Sequence, residues 1–143
     1  KRIGRIRLKQ VADASAKNLT SAIEESVEPG SCICTDGWNG YNPLKQLGYV
    51  HDIVRKDSHI GENLLPAANR VTSLLKRWLL GTHQGSVHPS HLDYYLDEFT
   101  FRFNRRTSLS RGKLFYRLVQ QAAEVRPVLI KNIGRKPQHM GYA

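Results

Sequence analysis

Residues 69–85 read NRVTSLLKRWLLGTHQG, and their apolar side chains recur at helical spacing. At about 100° per residue, one arc that can face a core collects Val71, Leu74, Leu75, Trp78 and Leu79. Asn69 and Lys76 lie two turns apart on the opposite, polar side and are nearly eclipsed. The pattern predicts an amphipathic helix from near Pro66 to Gly81. A polar outer face is ordinary for such a helix, so this face alone assigns no function.

The charge balance points to a polyanionic partner. In 143 residues, Lys and Arg outnumber Asp and Glu by 22 to 12, which gives a net charge of +10. Such a charge favours binding to phosphates with release of counterions. No apolar run approaches the roughly 20 residues that cross a bilayer, and the amino end lacks the apolar core of a signal peptide. We therefore expect a cytoplasmic, nucleoid-associated protein without a membrane partner.

The two cysteines do not predict a disulfide-stapled fold. Cys32 and Cys34 alternate along a predicted strand and therefore point to the same face. A zinc site would need more ligands, and the nearest histidines, at 83, 88 and 91, lack the usual paired spacing. We expect no structural zinc.

The remaining patterns predict an α/β fold. Strands are predicted over residues 3–11, 31–35 and 49–54, and helices over 14–27, 43–47, 66–81, a segment from Ser90, and 112–124. Ser15 or Asp13 is available to cap the first long helix, and Ser90 with Asp93 suggests a capping box. The helix from Ser90 buries Leu92, Tyr95, Leu96, Phe99 and Phe103. Residues 55–63 are predicted to form a loop.

Asp36 is the best candidate for a functional carboxylate. It lies at the carboxyl end of the 31–35 strand, where α/β sheets expose their functional groups. An Asp before Gly is also simply a good turn former, so both interpretations stand on the residues alone. Trp38 and Tyr41 are predicted to pack beneath this turn. His51, Asp52 and Asp57 have no motif support and are interpreted as surface or loop residues.

Three segments in this order carry a resemblance to a known family. They are TDGWNGY at 35–41, SLLKRWLLGTHQG at 73–85 and HLDYYLDEFTFRFNRR at 91–106. Together they resemble the ISXO-like transposases of bacterial insertion sequences, a branch of the DDE superfamily, from about Gly4 to about Gln121. The resemblance implies a ribonuclease H-like mixed sheet flanked by helices, with a helical carboxyl-terminal part. It also implies DNA strand cleavage and strand transfer with Mg²⁺ or Mn²⁺.

The resemblance assigns catalytic and metal-binding roles to three residues. Asp36 matches the second acidic position of the family, and Asn69 matches the third, where many relatives carry Glu and others Asn or His. An amide oxygen brings no charge, so weaker binding of the second metal is expected unless Glu62 or the scissile phosphate compensates. Lys76 would hold its ammonium near a phosphate. The alternatives are that Asn69 caps a helix that starts later, and that Lys76 is a solvated surface lysine.

The amino end leads us to expect an incomplete catalytic set. In this family the first catalytic aspartate lies in an opening strand ahead of a hairpin, and this chain begins inside the corresponding hairpin without a methionine. We therefore expect a partial catalytic domain over 1–126, a loosely ordered tail over 127–143, and a fragment that is inactive alone. Recognition of element ends would come from a domain outside the chain.

Basic residues are predicted to form a DNA-binding surface. They are Arg70, Arg77, Arg102, Arg105, Arg106, Arg111, Lys113 and Arg117. Interleaved aromatic residues predict that the last two helices pack together beneath this charge. The expected partners are element ends, target DNA and further copies of the chain in a homo-oligomer. Two other functions remain open: a non-catalytic DNA-binding remnant of a transposase, and a structure-selective nuclease of the same fold.

Overall fold

The computed structural model describes residues 2–54, 65–125 and 127 of the chain. Four α-helices and two strands follow in the order α1, β1, β2, α2, α3 and α4, at Ala16–Glu24, Cys32–Thr35, Val50–Ile53, Pro66–Thr82, Leu92–Asn104 and Arg111–Glu124. Short 3-10 helices occupy Asn39–Lys45 and Pro89–His91. The chain divides into two compact units, residues 9–85 and residues 1–8 with 86–143. The predicted α/β class is confirmed.

The sheet of the described residues has two parallel strands, β1 and β2. Cys32 pairs with Val50 and Thr35 with Ile53, and the Val54 N–H continues the ladder by donating to the Thr35 carbonyl at 2.9 Å. Alternate residues of a strand point to opposite faces, so both cysteines lie on the same face, as predicted, and both are exposed. The predicted ribonuclease H-like sheet is larger than this pair and stays a prediction.

The unit of residues 9–85 is built around the contact between α1 and the first 3-10 helix. Leu44 in that 3-10 helix is 0% exposed and Tyr49 is 4% exposed. The Tyr49 hydroxyl donates to the Val27 carbonyl at 2.9 Å, so the chain after α1 is tied to the start of β2. These contacts connect α1, the first 3-10 helix and the start of β2.

The amino end of α1 is capped as the sequence predicted. The Ser15 hydroxyl accepts the Asn18 N–H at 3.5 Å, and the Asp13 carboxylate accepts the Ser15 N–H at 2.8 Å. Hydrogen bonds from Ser15 and then Asn18 lower the pKa of Asp13. Asp13 is therefore occupied in capping.

The strand predicted over residues 3–11 is wrong for the described part of that range. Residues 2–11 join no ladder. Instead the Asn104 side-chain amide accepts the Ile6 N–H at 2.7 Å and donates to the Ile6 carbonyl at 2.9 Å, and Arg106 donates to the Ile3 carbonyl. Alternating side chains predict two faces but not a neighbouring strand, and here one amide supplies both backbone bonds.

The buried side of α3 is confirmed, whereas its predicted cap is wrong. Leu96, Phe99 and Phe103 are each 8% exposed. Ser90 does not start the α-helix, since it lies within the 3-10 helix and its hydroxyl pairs with His88 Nδ1 at 2.7 Å. Because the Ser90 hydroxyl is paired with His88, it does not form the predicted capping box.

The predicted packing of α4 is also wrong within the described residues. No residue of α4 is buried there, and Phe115, Tyr116 and Leu118 are 69%, 63% and 51% exposed. Helical spacing predicts which face of a helix is apolar. It does not predict that another element covers that face.

Candidate functional site

Asp36 follows β1 directly, and its exposed side chain lies at the start of two overlapping turns. Its Oδ1 accepts the Trp38 N–H at 3.2 Å. One residue earlier, Thr35 Oγ1 accepts the Gly37 N–H, also at 3.2 Å. Such bonds from Asp and Thr side chains to the backbone two residues on are the standard way to build a tight turn. The turn presents a carboxylate at the carboxyl end of a parallel strand, as predicted.

Glycines are required at two positions of this turn. Gly37 has φ +81, which a residue with a Cβ adopts only with strain, and a Cβ there would lie 2.8 Å from Ile53 Cγ2. A Cβ on Gly40 would lie 2.7 Å from Leu19 Cδ1 and 2.9 Å from the Ala14 carbonyl oxygen. The turn is therefore closely packed between the end of β2 and the start of α1.

The two aromatic residues of the turn differ in environment. Burial, and then the negative charge of Asp36, raises the pKa of the Tyr41 hydroxyl, so Tyr41 lies within electrostatic reach of the candidate carboxylate. Trp38 is 55% exposed, and its Nε1 donates to the Ala14 carbonyl at 3.0 Å. The prediction that Trp38 packs beneath the turn is wrong, because its indole is used at the surface to hold the start of α1.

Helix α2 carries Asn69 and Lys76 on an exposed face. It begins at Pro66, so Asn69 is its fourth residue, and the Asn69 N–H donates to the Leu65 carbonyl at 2.9 Å. The alternative in which Asn69 caps a later helix start is therefore wrong. Seven residues correspond to nearly two full turns, which places the amide and the lysine on one side.

The described residues supply one clear oxygen ligand and not a full metal site. Among them no group of three or more His, Cys, Asp or Glu side chains could hold a metal ion. The Asp36 carboxylate fits a hard cation, since it is exposed and only its Oδ1 is engaged by a described hydrogen bond. Glu62 and Asp57 lie outside the described residues.

His51 is a residue that sequence reasoning missed. It lies on β2, half-buried, and its Nε2 is 2.8 Å from Thr35 Oγ1. Thr35 also forms a hydrogen bond within the turn that carries Asp36. The alternation of the two strands places Thr35 and His51 on the inner face, but it does not give the register that brings them together.

The predicted DNA-binding residues lie in both units and have different neighbours. Arg70 and Arg77 are exposed on α2, and Arg111, Lys113 and Arg117 are exposed on α4. These five side chains offer their charge to solvent, as a phosphate-binding surface requires.

The three arginines at the end of α3 are more constrained. Arg102 pairs with Glu98 at 2.8 Å, and the guanidinium of Arg105 lies 3.8 Å from the Phe101 ring centroid. Arg106 lies 4.0 Å from the Phe103 ring centroid and donates to the Phe103 carbonyl at 2.7 Å. Arg106 therefore already binds backbone carbonyls, which leaves less of its donor capacity for phosphate.

These features define a class: a mixed α/β protein with an exposed carboxylate at the end of a parallel strand and a helix with a basic, exposed face. The sequence model of one protein family, described as the ISXO2-like transposase domain, matches residues 1–104. The chain belongs to this family of transposases, and DNA is the partner that the family implies. The match contains the first two motifs and most of the third, and ends before α4.

No match to the chain was found among curated proteins or among solved structures. Within the described residues, every helix is too short or too polar to cross a membrane.

Proposed function

We propose that the chain contributes part of the catalytic domain of a DDE-type transposase with a ribonuclease H-like fold, which cleaves DNA strands and transfers them. The observation that carries this proposal is Asp36, an exposed carboxylate held by nested turns at the carboxyl end of β1, inside the region that matches the family. Position and residue type both suit a metal ligand.

Three side chains have distinct roles in this proposal. Asp36 provides a charged oxygen ligand for Mg²⁺ or Mn²⁺, and Asn69 provides a neutral, weaker one. Such ions activate the attacking oxygen and stabilise the leaving oxygen of a phosphodiester. Lys76, on the same face of α2 as Asn69, holds a phosphate of the DNA close to them. The rest of the ligand set comes from outside the described residues.

The proposed DNA-binding residues of the two units supply affinity without reading the sequence of bases. They are Arg70 and Arg77 in one unit, and Arg102, Arg105, Arg106, Arg111, Lys113 and Arg117 in the other. Arginine side chains bind phosphates through paired hydrogen bonds, and we propose that these residues bind both element ends and target DNA. The proposed working form is a homo-oligomer in the cytoplasm, at the nucleoid.

A second function, DNA binding without cleavage, is favoured by two observations. Within the described residues no three acidic, histidine or cysteine side chains converge, and the third family position is a neutral Asn. A decayed transposase would keep the basic surface and lose the metal site.

A cleavage assay separates these functions. The product of the complete reading frame that contains this chain is incubated with labelled element-end DNA, target DNA and Mg²⁺ or Mn²⁺. Cleavage with joining of the 3′ end to target supports the transposase, and cleavage without joining indicates a nuclease. Binding in the absence of any cleavage supports the second function.

Replacing Lys76 with alanine should weaken DNA binding in a salt-dependent way. Losing one phosphate contact lowers the slope of log affinity against log salt by about 1. Binding is measured between 50 and 200 mM salt, the range over which that dependence is usually resolved. Lys17→Ala, an exposed lysine on α1, is the control and should leave the slope unchanged. Equal slopes for both variants and the unaltered chain would leave Lys76 as a solvated lysine.

Replacing Asn69 with glutamate should raise Mn²⁺ affinity, because it adds a charged oxygen ligand. Two unit charges 4 Å apart in water interact by about 1 kcal/mol, so one carboxylate and a divalent ion interact by about 2 kcal/mol, and the expected gain in affinity is at least about fivefold. Ala68→Glu adds the same charge to the same exposed turn but points in another direction, and should change affinity little. Weaker Mn²⁺ binding by Asn69→Glu would remove Asn69 from the ligand set.

A further inference from the structure

Thr35 is the only polar residue that is buried within the described part of the chain, with 5% of its surface exposed. A buried hydroxyl needs hydrogen-bond partners, and this one has two. It accepts the Gly37 N–H at 3.2 Å and lies 2.8 Å from His51 Nε2. The imidazole of His51 on β2 is thereby linked through Thr35 to the turn after β1.

The hydrogen-bonding capacity of a hydroxyl explains how the two contacts cooperate. A threonine hydroxyl has one proton to donate and two lone pairs that accept. With the ring proton of His51 on Nδ1, Nε2 accepts the hydroxyl proton, and a lone pair of Oγ1 is left facing Gly37. The parallel register, which pairs Ile33 with His51 and Thr35 with Ile53, holds the imidazole beside the threonine.

We propose that His51 is a positioning residue for Asp36, acting through Thr35 and Gly37. This inference rests on the proposed role of Asp36 as a metal ligand. The Gly37 N–H bond fixes the peptide that follows Asp36, and the Trp38 N–H bond fixes the Asp36 carboxylate itself. Glycine has unusual backbone freedom, so Gly37 needs such a restraint to hold its φ of +81.

As a consequence, the Asp36 carboxylate points in one direction before a metal ion binds. Without the hydroxyl of Thr35, the turn samples more conformations and the carboxylate with it. The metal then binds only the fraction of molecules in which the turn is correctly ordered. The apparent affinity for the metal is lowered in proportion to that fraction. A role limited to satisfying the buried hydroxyl would instead change stability and leave the turn unaffected.

Two matched pairs of variants test this in the full chain. Thr35→Val keeps the shape and removes the hydroxyl, whereas Thr35→Ser keeps the hydroxyl. His51→Leu removes the ring nitrogen, whereas His51→Gln keeps a hydrogen-bonding group at similar reach. Thr20→Val is the control, since the Thr20 hydroxyl bonds to the Ala16 carbonyl within α1 at 2.7 Å.

The first readout is amide hydrogen exchange at Gly37 and Trp38, which needs no metal. The second is Mn²⁺ affinity, measured from the relaxation of water protons. Thr35→Val and His51→Leu should speed exchange at Gly37 and weaken Mn²⁺ binding, each by about two- to tenfold, the net worth of one hydrogen bond. Thr35→Ser, His51→Gln and Thr20→Val should stay close to the unaltered chain.

Unchanged exchange at Gly37 in Thr35→Val and His51→Leu would overturn the inference, as would equal losses in the leucine and glutamine variants of His51. If Thr35→Val fails to fold, the two His51 variants decide the matter. Failure of the proposed function looks different: Asp36→Asn would then bind Mn²⁺ as tightly as the unaltered chain. Loss of Mn²⁺ binding in Asp36→Asn with unaltered exchange in the other variants removes the positioning role alone.

Discussion

Replacing Asp36 with asparagine should reduce DNA cleavage about a thousandfold while leaving DNA binding nearly unchanged. That loss corresponds to about 4 kcal/mol, which lies within the several kcal/mol that a metal ion supplies to the transition state of such a reaction. Asparagine keeps an Oδ1 that can accept the Trp38 N–H, so the turn stays in place. The substitution removes the negative charge, which strengthens the binding of a hard cation.

The measurement compares single-turnover cleavage rates and DNA affinities of the complete reading-frame product. Asp52→Asn is the control, because Asp52 is an exposed carboxylate on β2 that pairs in register with Cys34. It should cleave at the unaltered rate. Undiminished cleavage by Asp36→Asn would remove Asp36 from the metal site, whereas a parallel loss of DNA binding would indicate a damaged fold.

The elements that the sequence predicted well are those whose side-chain pattern and chain geometry agree. Helix α2 begins at Pro66 as expected, since proline suits the first helical turn, and β1 ends where Asp36 begins. The predictions that are wrong assumed that a neighbouring strand or helix covers the segment. The alternation in residues 2–11 and the apolar stripe of α4 describe faces, and a face does not reveal whether another strand or helix covers it.

The candidate site shows the same division. Asp36 could be found from sequence, because a strand end followed by glycine and a family motif both indicate it. His51 could not be found in this way, because its importance depends on the register between two strands that are distant in the chain. Nothing near His51 in sequence indicates that its Nε2 lies 2.8 Å from the hydroxyl of Thr35. Contacts of this kind belong to tertiary structure.

Leu44→Ala is expected to destabilise the unit of residues 9–85 by about 3 kcal/mol, since buried leucines cost 2–5 kcal/mol when truncated. Leu44 is the one large side chain of the described residues that is fully buried, at 0% exposure. Its carbonyl also accepts the Tyr49 N–H at 3.1 Å, so it joins the first 3-10 helix to the start of β2. A cavity there would weaken the contact between this 3-10 helix and β2.

Both tryptophans of the chain, Trp38 and Trp78, lie in this unit, so their fluorescence during urea denaturation reports on it. Leu47→Ala removes the same atoms from a side chain that is 36% exposed, and it should cost less than about 1 kcal/mol. Equal midpoints for the two variants would mean that Leu44 is not the centre of this core. A selective loss in Leu44→Ala, with Mn²⁺ affinity preserved below the unfolding transition, would instead show that the core supports the site only by keeping the unit folded. The orientation of the Asp36 carboxylate would then depend on the hydrogen bonds of Thr35.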